Sequence, residues 1–291
     1  MAKKIIILGA TGMLGSSLHR YLSACDAYDV TGTVRSEAGK QKLAKMGYDN
    51  IIAGIDMQDL SSLSALMAEM KPDIVINCIG IIKQLDLAYA HVPSIEINAL
   101  LPHQLAELCD KTDTKLVHFS TDCVFDGSKG SYTEQDIATA TDLYGKSKYI
   151  GEVDYGRHVT LRTSIIGHEL SSNLSLIDWF LSQTGAVKGF SKAIFSGLPC
   201  VMIAEFLETH CLPQDICGLY HLSVDPIDKY QLLCLVRDIY GRDIIIEDNQ
   251  DVSIDRSLLS DKLRNQTGFV PPSWPELIKK MHSEYEQFFA K

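Results

Sequence analysis

No apolar stretch in the chain reaches the ~18 to 20 residues that a bilayer-spanning helix needs, so a membrane-embedded protein is not expected. Cysteine is present but unorganised. The eight residues Cys25, Cys78, Cys109, Cys123, Cys200, Cys211, Cys217 and Cys234 form no C-x-x-C pair, and several lie in apolar runs where a free thiol packs as a small hydrophobe. Neither a disulfide framework nor a metal centre is expected. Positive charge is the minority: 27 Lys and Arg face 37 Asp and Glu, giving a net charge of −10 and an isoelectric point near 5.3. Such a background repels nucleic acid and anionic membrane, so any anion must be met by a local pocket of backbone N–H groups and a few basic side chains. No Pro-, Gly- or Ser-rich linker, internal repeat or low-complexity tract is evident. The opening Met-Ala-Lys-Lys leads into a short apolar run broken at once by glycine, which suits a first strand better than a secretory signal. A cytoplasmic protein is therefore expected.

What the chain does contain is a globular composition: 46% apolar and 22% charged over 291 residues, enough to bury a large core. The first half alternates short apolar runs with amphipathic segments. Lys3–Leu8, Asp29–Val34, Ile51–Ala53, Ile74–Cys78, Lys115–Ser120 and Val159–Thr163 read as strands. Leu14–Ala24, Glu37–Met46, Leu60–Met70, Ser94–Cys109 and Leu143–Tyr155 read as the helices between them. This rhythm predicts an α/β fold with a doubly wound parallel sheet of the Rossmann type. After Gly167 the rhythm becomes irregular, and a Pro-Pro-Ser-Trp-Pro cluster at 271–275 precedes a last helix. The expected division is a dinucleotide-binding domain at 1–166 and a smaller C-terminal substrate lobe at 167–291, with a return to the first domain near 218–224 left open.

Ile5-Ile6-Ile7-Leu8-Gly9-Ala10-Thr11-Gly12-Met13-Leu14-Gly15 sets three glycines between a strand and a helix. Gly9 permits the tight turn, Gly12 lets the backbone approach a pyrophosphate, and Gly15 allows close helix–strand packing. Gly9, Thr11, Gly12, Met13, Leu14 and Gly15 are thus the candidate phosphate cradle. The cofactor type depends on the end of the second strand, Thr33-Val34-Arg35-Ser36, where no carboxylate stands to bond a ribose 2′-hydroxyl. Arg35 in that place favours a 2′-phosphate, hence NADP(H), with NAD(H) the alternative.

Asp142-Leu143-Tyr144-Gly145-Lys146-Ser147-Lys148 carries Tyr-x-x-x-Lys, which on a helix puts Tyr144 and Lys148 on one face, one turn apart. Hydride delivered to a ketone leaves charge on oxygen, so a proton donor must stand beside it. A phenol needs a neighbouring cation to serve near neutrality. The strand end His118-Phe119-Ser120-Thr121-Asp122 lies at the carboxyl edge of the sheet, where such folds bind ligands.

The glycine spacing resembles the extended short-chain dehydrogenase/reductases. Ser120-Thr121-Asp122-Cys123-Val124-Phe125-Asp126-Gly127, Lys129-Gly130-Ser131-Tyr132-Thr133-Glu134, Tyr144-Gly145-Lys146-Ser147-Lys148 with Gly151-Glu152, and Leu161-Arg162-Thr163-Ser164 narrow this to a resemblance to the dTDP-4-dehydrorhamnose reductase family. The string Asn77-Cys78-Ile79-Gly80-Ile81-Ile82-Lys83-Gln84 is similar to a subgroup making amino-deoxysugars for bacterial surface polysaccharides. The resemblance implies NAD(P)H-dependent reduction of the 4-keto group of a nucleotide-linked 6-deoxy sugar. It implies Thr121, with Ser120 as second choice, as the hydroxyl that holds the carbonyl, and Tyr144 and Lys148 as catalytic and cofactor-binding. Asp56 and Met57 would flank the adenine, Cys78, Ile79 and Gly80 would run beside the cofactor, and Asn98 would help position Lys148. Asp122, Phe125 and Asn173 fall on the substrate side, while Lys188, Lys192, His221 and Arg256 are further candidates for sugar or diphosphate contacts. Trp274 falls in the family's final helix.

The chain departs from the family at Cys123, where a Tyr is common, and at Ile165-Ile166, where an aromatic is. A UDP-linked 2-acetamido-4-keto sugar thus stands beside dTDP-4-dehydrorhamnose as substrate. An epimerase or dehydratase on the same fold is the enzymatic alternative, although Asp122-Cys123 is not the Asp-Glu pair expected of a dehydratase. A catalytically silent NADP-binding regulatory subunit is the other, and a homodimer is left open.

Overall fold

A computed structural model describes residues 2–82 and 90–290 of the chain; Lys83 and Gln84 of the subgroup string lie outside the described residues. Ile5, Ile6, Ile7 and Leu8 in succession have no exposed surface. An unbroken apolar run of this kind belongs in a strand covered on both faces, as in a parallel sheet flanked by helices. It forms β1 (Lys3–Leu8), followed by β2 (Tyr28–Thr33), β3 (Ile51–Ile52), β4 (Ile74–Asn77), β5 (Lys115–Thr121) and β6 (Val159–Thr163). β1 pairs in parallel with β2 and β4, setting Ile6 opposite Thr31 and Val75. β2 with β3 and β4 with β5 are parallel as well.

The sheet order is β3-β2-β1-β4-β5-β6 with a seventh strand, Gly218–His221, beside β6. This is the doubly wound Rossmann arrangement, whose switch point beside β1 is where ligands bind. Six strands were expected. The seventh is four residues long and falls in the stretch 218–224 where a return of the chain was left open, although it was not read there as a strand.

The helices follow from apolar spacing. α1 (Met13–Ser23) buries Leu14, Leu18 and Leu22 at four-residue intervals, and α3 (Ser61–Met70) buries Leu63, Leu66 and Met67. One face of the sheet, Ile6, Leu8, Val75 and Leu116, packs with these α3 residues and with Leu101, Leu105, Ala106 and Cys109. α2 (Glu37–Lys45) is capped by Ser36, whose side chain accepts from the Gly39 N–H at 3.2 Å. The helix expected at Ser94–Cys109 begins earlier, at His91, and runs to Lys111 through a π-helical turn at Ile95–Leu100. The helix expected at Leu143–Tyr155 stops at Ile150.

Backbone proximity groups the chain into two units, each made of more than one segment. The first comprises Met1–Ser120, Asp142–Leu161 and Asp215–Leu219, and the second Thr121–Thr141, Arg162–Gln214 and Tyr220–Lys291. The grouping differs from a single division after residue 166, because 121–141 joins the second unit. Within that unit, Tyr132 and Leu258 form a bridge, and Phe125, Val124, Tyr132 and Leu258 make a common core. Gly185–Phe190 pairs in parallel with Ile244–Asn249, and Ala193–Phe195 lies between Ile227–Asp228 and Ile254–Asp255. The last helix, Trp274–Phe288, starts with a capping box of Ser273 and Glu276, and the Trp274 indole donates to the Asp225 carbonyl at 2.7 Å. Among the described residues, no helix is long and apolar enough to cross a membrane.

Candidate active site

The glycine loop links β1 to α1 by contacts that only glycine allows. Gly9 has φ +81°, and a Cβ there would stand 2.9 Å from the Ile79 side chain, on the segment that follows β4. A Cβ on Gly15 would meet the Gly9 carbonyl oxygen at 2.2 Å, so the first turn of α1 lies directly on the loop. Gly12 is the N-cap in extended conformation; no side chain caps the helix and its first turn holds no acid. Thr11 and Gly12 are exposed, Met13 is half-buried and Leu14 is buried. An uncapped, acid-free helix start with exposed glycine backbone is a fitting cradle for an anionic phosphate.

The neighbouring strand ends complete this edge. Arg35 is exposed just past β2, ahead of the Ser36 cap. Asp56 is half-buried after β3 and accepts from the Gln58 N–H at 3.1 Å, while Met57 packs against the sheet core. Cys78 donates its N–H to the Leu8 carbonyl at 3.1 Å, and burial pushes its thiol far up. Asn77 accepts from the Ile79 N–H at 3.0 Å, and its amide contacts His118 Nδ1 at 3.2 Å. The buried pair Asn77–His118 thus fixes the chain beside Gly9. No motif marks this role; its signal in the sequence is a polar residue closing the apolar run Ile74-Val75-Ile76.

Tyr144 and Lys148 share the helix Leu143–Ile150, whose N-cap Asp142 accepts from the Gly145 N–H at 2.8 Å. Tyr144 is half-buried. Lys148 is 6% exposed and donates from Nζ to the Phe119 carbonyl on β5 at 2.7 Å. Burial lowers its pKa to about 8, against the opposing pull of the Glu152 carboxylate. Asn98, in the π-helical turn, accepts from the Ile81 N–H at 2.9 Å and donates to the Ile81 carbonyl at 3.1 Å. Its amide also reaches Ser147 Oγ at 3.4 Å. Asn98 therefore joins the segment after β4 to the helix of Tyr144 and Lys148, one residue short of Lys148.

The end of β5 separates its two hydroxyls. Ser120 Oγ donates to Glu152 at 2.7 Å and is committed to that carboxylate. Thr121 Oγ1 donates to Asp122 at 3.1 Å and accepts from the Cys123 N–H at 3.1 Å, capping the short turn Asp122–Val124. Asp122 is buried, which raises its pKa against the pull of Arg256, and the Cys123 thiol is pushed up to about 12 by burial.

Two expected substrate residues have other duties. Phe125 is fully buried, stacked on Tyr132 with ring centroids 4.0 Å apart and the Arg162 guanidinium 5.2 Å from its ring centre. His221 is also fully buried, its Nδ1 shared between the Tyr132 and Leu259 carbonyls and its N–H given to Glu134. Both are core residues of the second unit, because their apolar and ring surfaces fill its centre. Arg256 braces the Phe125 carbonyl through Nε at 2.9 Å. Asn173, Lys188 and Lys192 are exposed.

The sequence model of a family described as the RmlD substrate binding domain matches residues 3–238. The probable low-salt glycan biosynthesis reductase Agl14 of Haloferax volcanii is 32% identical over 155 residues, 50% of this chain and 46% of that one. The dTDP-4-dehydrorhamnose reductase of Aggregatibacter actinomycetemcomitans is 23% identical across 97% of this chain and 99% of its own. Methionine adenosyltransferase 2 subunit beta of Mus musculus is 22% identical over 82% and 73% of the two chains. Among solved structures, the Bacillus anthracis dTDP-4-dehydrorhamnose reductase in complex with NADP shares the fold at a TM-score of 0.80, with 21% identity, covering 98% of this chain and 100% of that one.

Proposed function

The chain belongs to the family of the RmlD substrate binding domain, and from that premise we propose that it is a nicotinamide-dependent reductase of nucleotide-linked 4-keto sugars acting in polysaccharide precursor synthesis. The observation that carries the reading is Lys148, a buried ammonium seated on the Phe119 carbonyl one helical turn from Tyr144. The relatives' names, a glycan biosynthesis reductase and a dTDP-4-dehydrorhamnose reductase, support the same chemistry.

The cofactor's diphosphate would rest on the backbone of Gly9, Thr11, Gly12, Met13, Leu14 and Gly15, with Asp56 and Met57 toward the adenine and Cys78, Ile79 and Gly80 alongside. Arg35, exposed where a 2′-phosphate would come, supports NADP(H) over NAD(H). When bound, the nicotinamide supplies the hydride. Tyr144 then gives its phenolic proton to the oxygen that gains charge, a transfer eased by the neighbouring Lys148 cation. Thr121 holds the carbonyl: turning its hydroxyl hydrogen away from Asp122 leaves its bond from the Cys123 N–H in place. Asp122 and the exposed Asn173 remain on the substrate side of this reading. The sugar is either dTDP-4-dehydrorhamnose or a UDP-linked 2-acetamido-4-keto sugar.

A second reading, a cofactor-binding subunit without turnover, is favoured by the likeness to methionine adenosyltransferase 2 subunit beta. One experiment separates the two. Purified protein with NADPH is offered a panel of dTDP- and UDP-linked 4-keto sugars, with NADPH absorbance followed and the sugar product analysed. Consumption of NADPH with formation of the 4-hydroxy sugar is expected. Tight NADPH binding with no consumption for any sugar would replace the reductase with the regulatory subunit.

A further inference from the structure

Glu152 is a buried carboxylate that the reductase chemistry does not use directly. It stands four residues beyond Lys148, past the end of the helix, and is 9% exposed. Its place is dictated by Gly151: a Cβ at 151 would come within 2.0 Å of the Asn98 carbonyl oxygen. The chain therefore presses its backbone on the π-helical turn there, leaves the helix, and carries Glu152 inward rather than into solvent. A carboxylate taken out of water is costly unless it is hydrogen-bonded and faces a cation. Ser120 on β5 supplies the hydrogen bond at 2.7 Å. The cation is Lys148, which the Glu152 charge reaches through space rather than by a direct bond: it is anchored on the carbonyl of Phe119, the residue next to Ser120, so both side chains are held by adjacent residues of β5.

We propose that Glu152 is a positioning residue for Lys148: tied to Ser120, its carboxylate keeps the ammonium charged and seated on the Phe119 carbonyl while Tyr144 delivers its proton. The inference rests on the reading of Tyr144 and Lys148 as the reductase pair. Among the described residues, neither His118 nor Tyr144 duplicates the role. His118, from β5, is held neutral because burial keeps it far below its usual range, and Tyr144 on the same helix brings no negative charge in the proton-donating form. Burial pulls Lys148 down to about 8, and Glu152 is the group opposing that pull.

The test is the variant Glu152→Gln, which keeps an acceptor for Ser120 but removes the charge. Removing an anion beside a lysine lowers the pKa of that lysine, so the basic limb of the reductase pH–rate profile moves acidward by about one pH unit. Near pH 6 the rate stays within a few-fold of wild type. The Lys148 side chain, titrated by carbon-13 NMR in the protein without cofactor and assigned with Lys148→Met, moves its midpoint in the same direction. A limb and midpoint that stay put while the rate falls equally at every pH would make Glu152 merely structural and overturn the proposal. Glu152→Asp serves if the Gln protein does not fold: a charge drawn back by one methylene shifts the limb the same way by less, and an unmoved limb again refutes the role. Should wild type consume no NADPH with any sugar, the reductase reading fails. The NMR titration still decides whether Glu152 governs Lys148.

Discussion

The three glycines of the β1–α1 loop are distinguished by what a single methyl group would do at each. At Gly15 the added Cβ falls 2.2 Å from the Gly9 carbonyl oxygen and 2.9 Å from its carbon. Relief requires α1 and the loop to part by about 1 Å. Both partners are backbone, so no side-chain rotation can absorb the clash, and α1 cannot retreat freely with Leu18 and Leu22 fully buried beneath it. The cost is about 3 kcal/mol, the upper end for overpacking. The same displacement spoils the alignment of the helix start with the loop, so NADPH affinity falls by about 100-fold or more, equivalent to ~2.8 kcal/mol. At Gly12 the backbone has φ −76°, and an added Cβ meets only the Gly9 oxygen at an ordinary 3.4 Å. Gly12→Ala should keep its melting temperature within about 2 °C of wild type. It should still lose about tenfold or more in NADPH affinity, since the methyl covers the backbone that a pyrophosphate approaches. Thermal melts combined with NADPH fluorescence titration separate the two variants. If Gly12→Ala binds NADPH as wild type does, the phosphate does not sit on this loop; if Gly15→Ala is as stable as wild type, the packing argument fails.

Tyr144→Phe is expected to lower kcat by roughly 10²- to 10⁴-fold with NADPH affinity nearly intact, and unchanged single-turnover kinetics would remove Tyr144 as the acid. Arg35→Ala should cost on the order of 1 to 3 kcal/mol in NADPH-dependent kcat/KM, roughly 5- to 150-fold, and leave NADH kinetics alone. An unaltered NADPH-to-NADH ratio would show that the guanidinium faces only solvent. Phe125→Ala should destabilise the fold by about 3 to 5 kcal/mol, read by denaturant unfolding, because Phe125 is fully buried against Tyr132. A stable variant with a raised KM would return Phe125 to the substrate.

The family was legible before the fold was seen: the motifs around Thr121 and Tyr144 pointed to it, and the family match over residues 3–238 agrees. The Rossmann sheet was legible for a physical reason, since local apolar periodicity alone specifies a buried parallel strand or an amphipathic helix. The rhythm named the strands β1 to β6, while their order in the sheet is set by which strands pair in the folded chain. The helix of Tyr144 and Lys148 was likewise written in spacing, while its Asp142 cap is seen in the structure. Other features required distant partners. The strand Gly218–His221 exists because β6 lies beside it, and Phe125 and His221 are core because Tyr132 and the strand end of Arg162 close over them.

The sequence by itself determined what local pattern encodes: three glycines at a helix start, a Tyr–Lys face, and an Arg rather than a carboxylate just past the second strand. Tertiary structure alone decided which polar groups are already taken. Ser120 and Thr121 are neighbours of nearly the same chemistry, and pleat alternation sends them to opposite sides of β5. Only the folded chain brings Glu152 to Ser120, leaving the hydroxyl of Thr121 to its own turn. Burial then lowers the pKa of Lys148, against the pull of Glu152, because the cost of desolvation depends on every atom packed around the ammonium and on none of its neighbours in sequence alone.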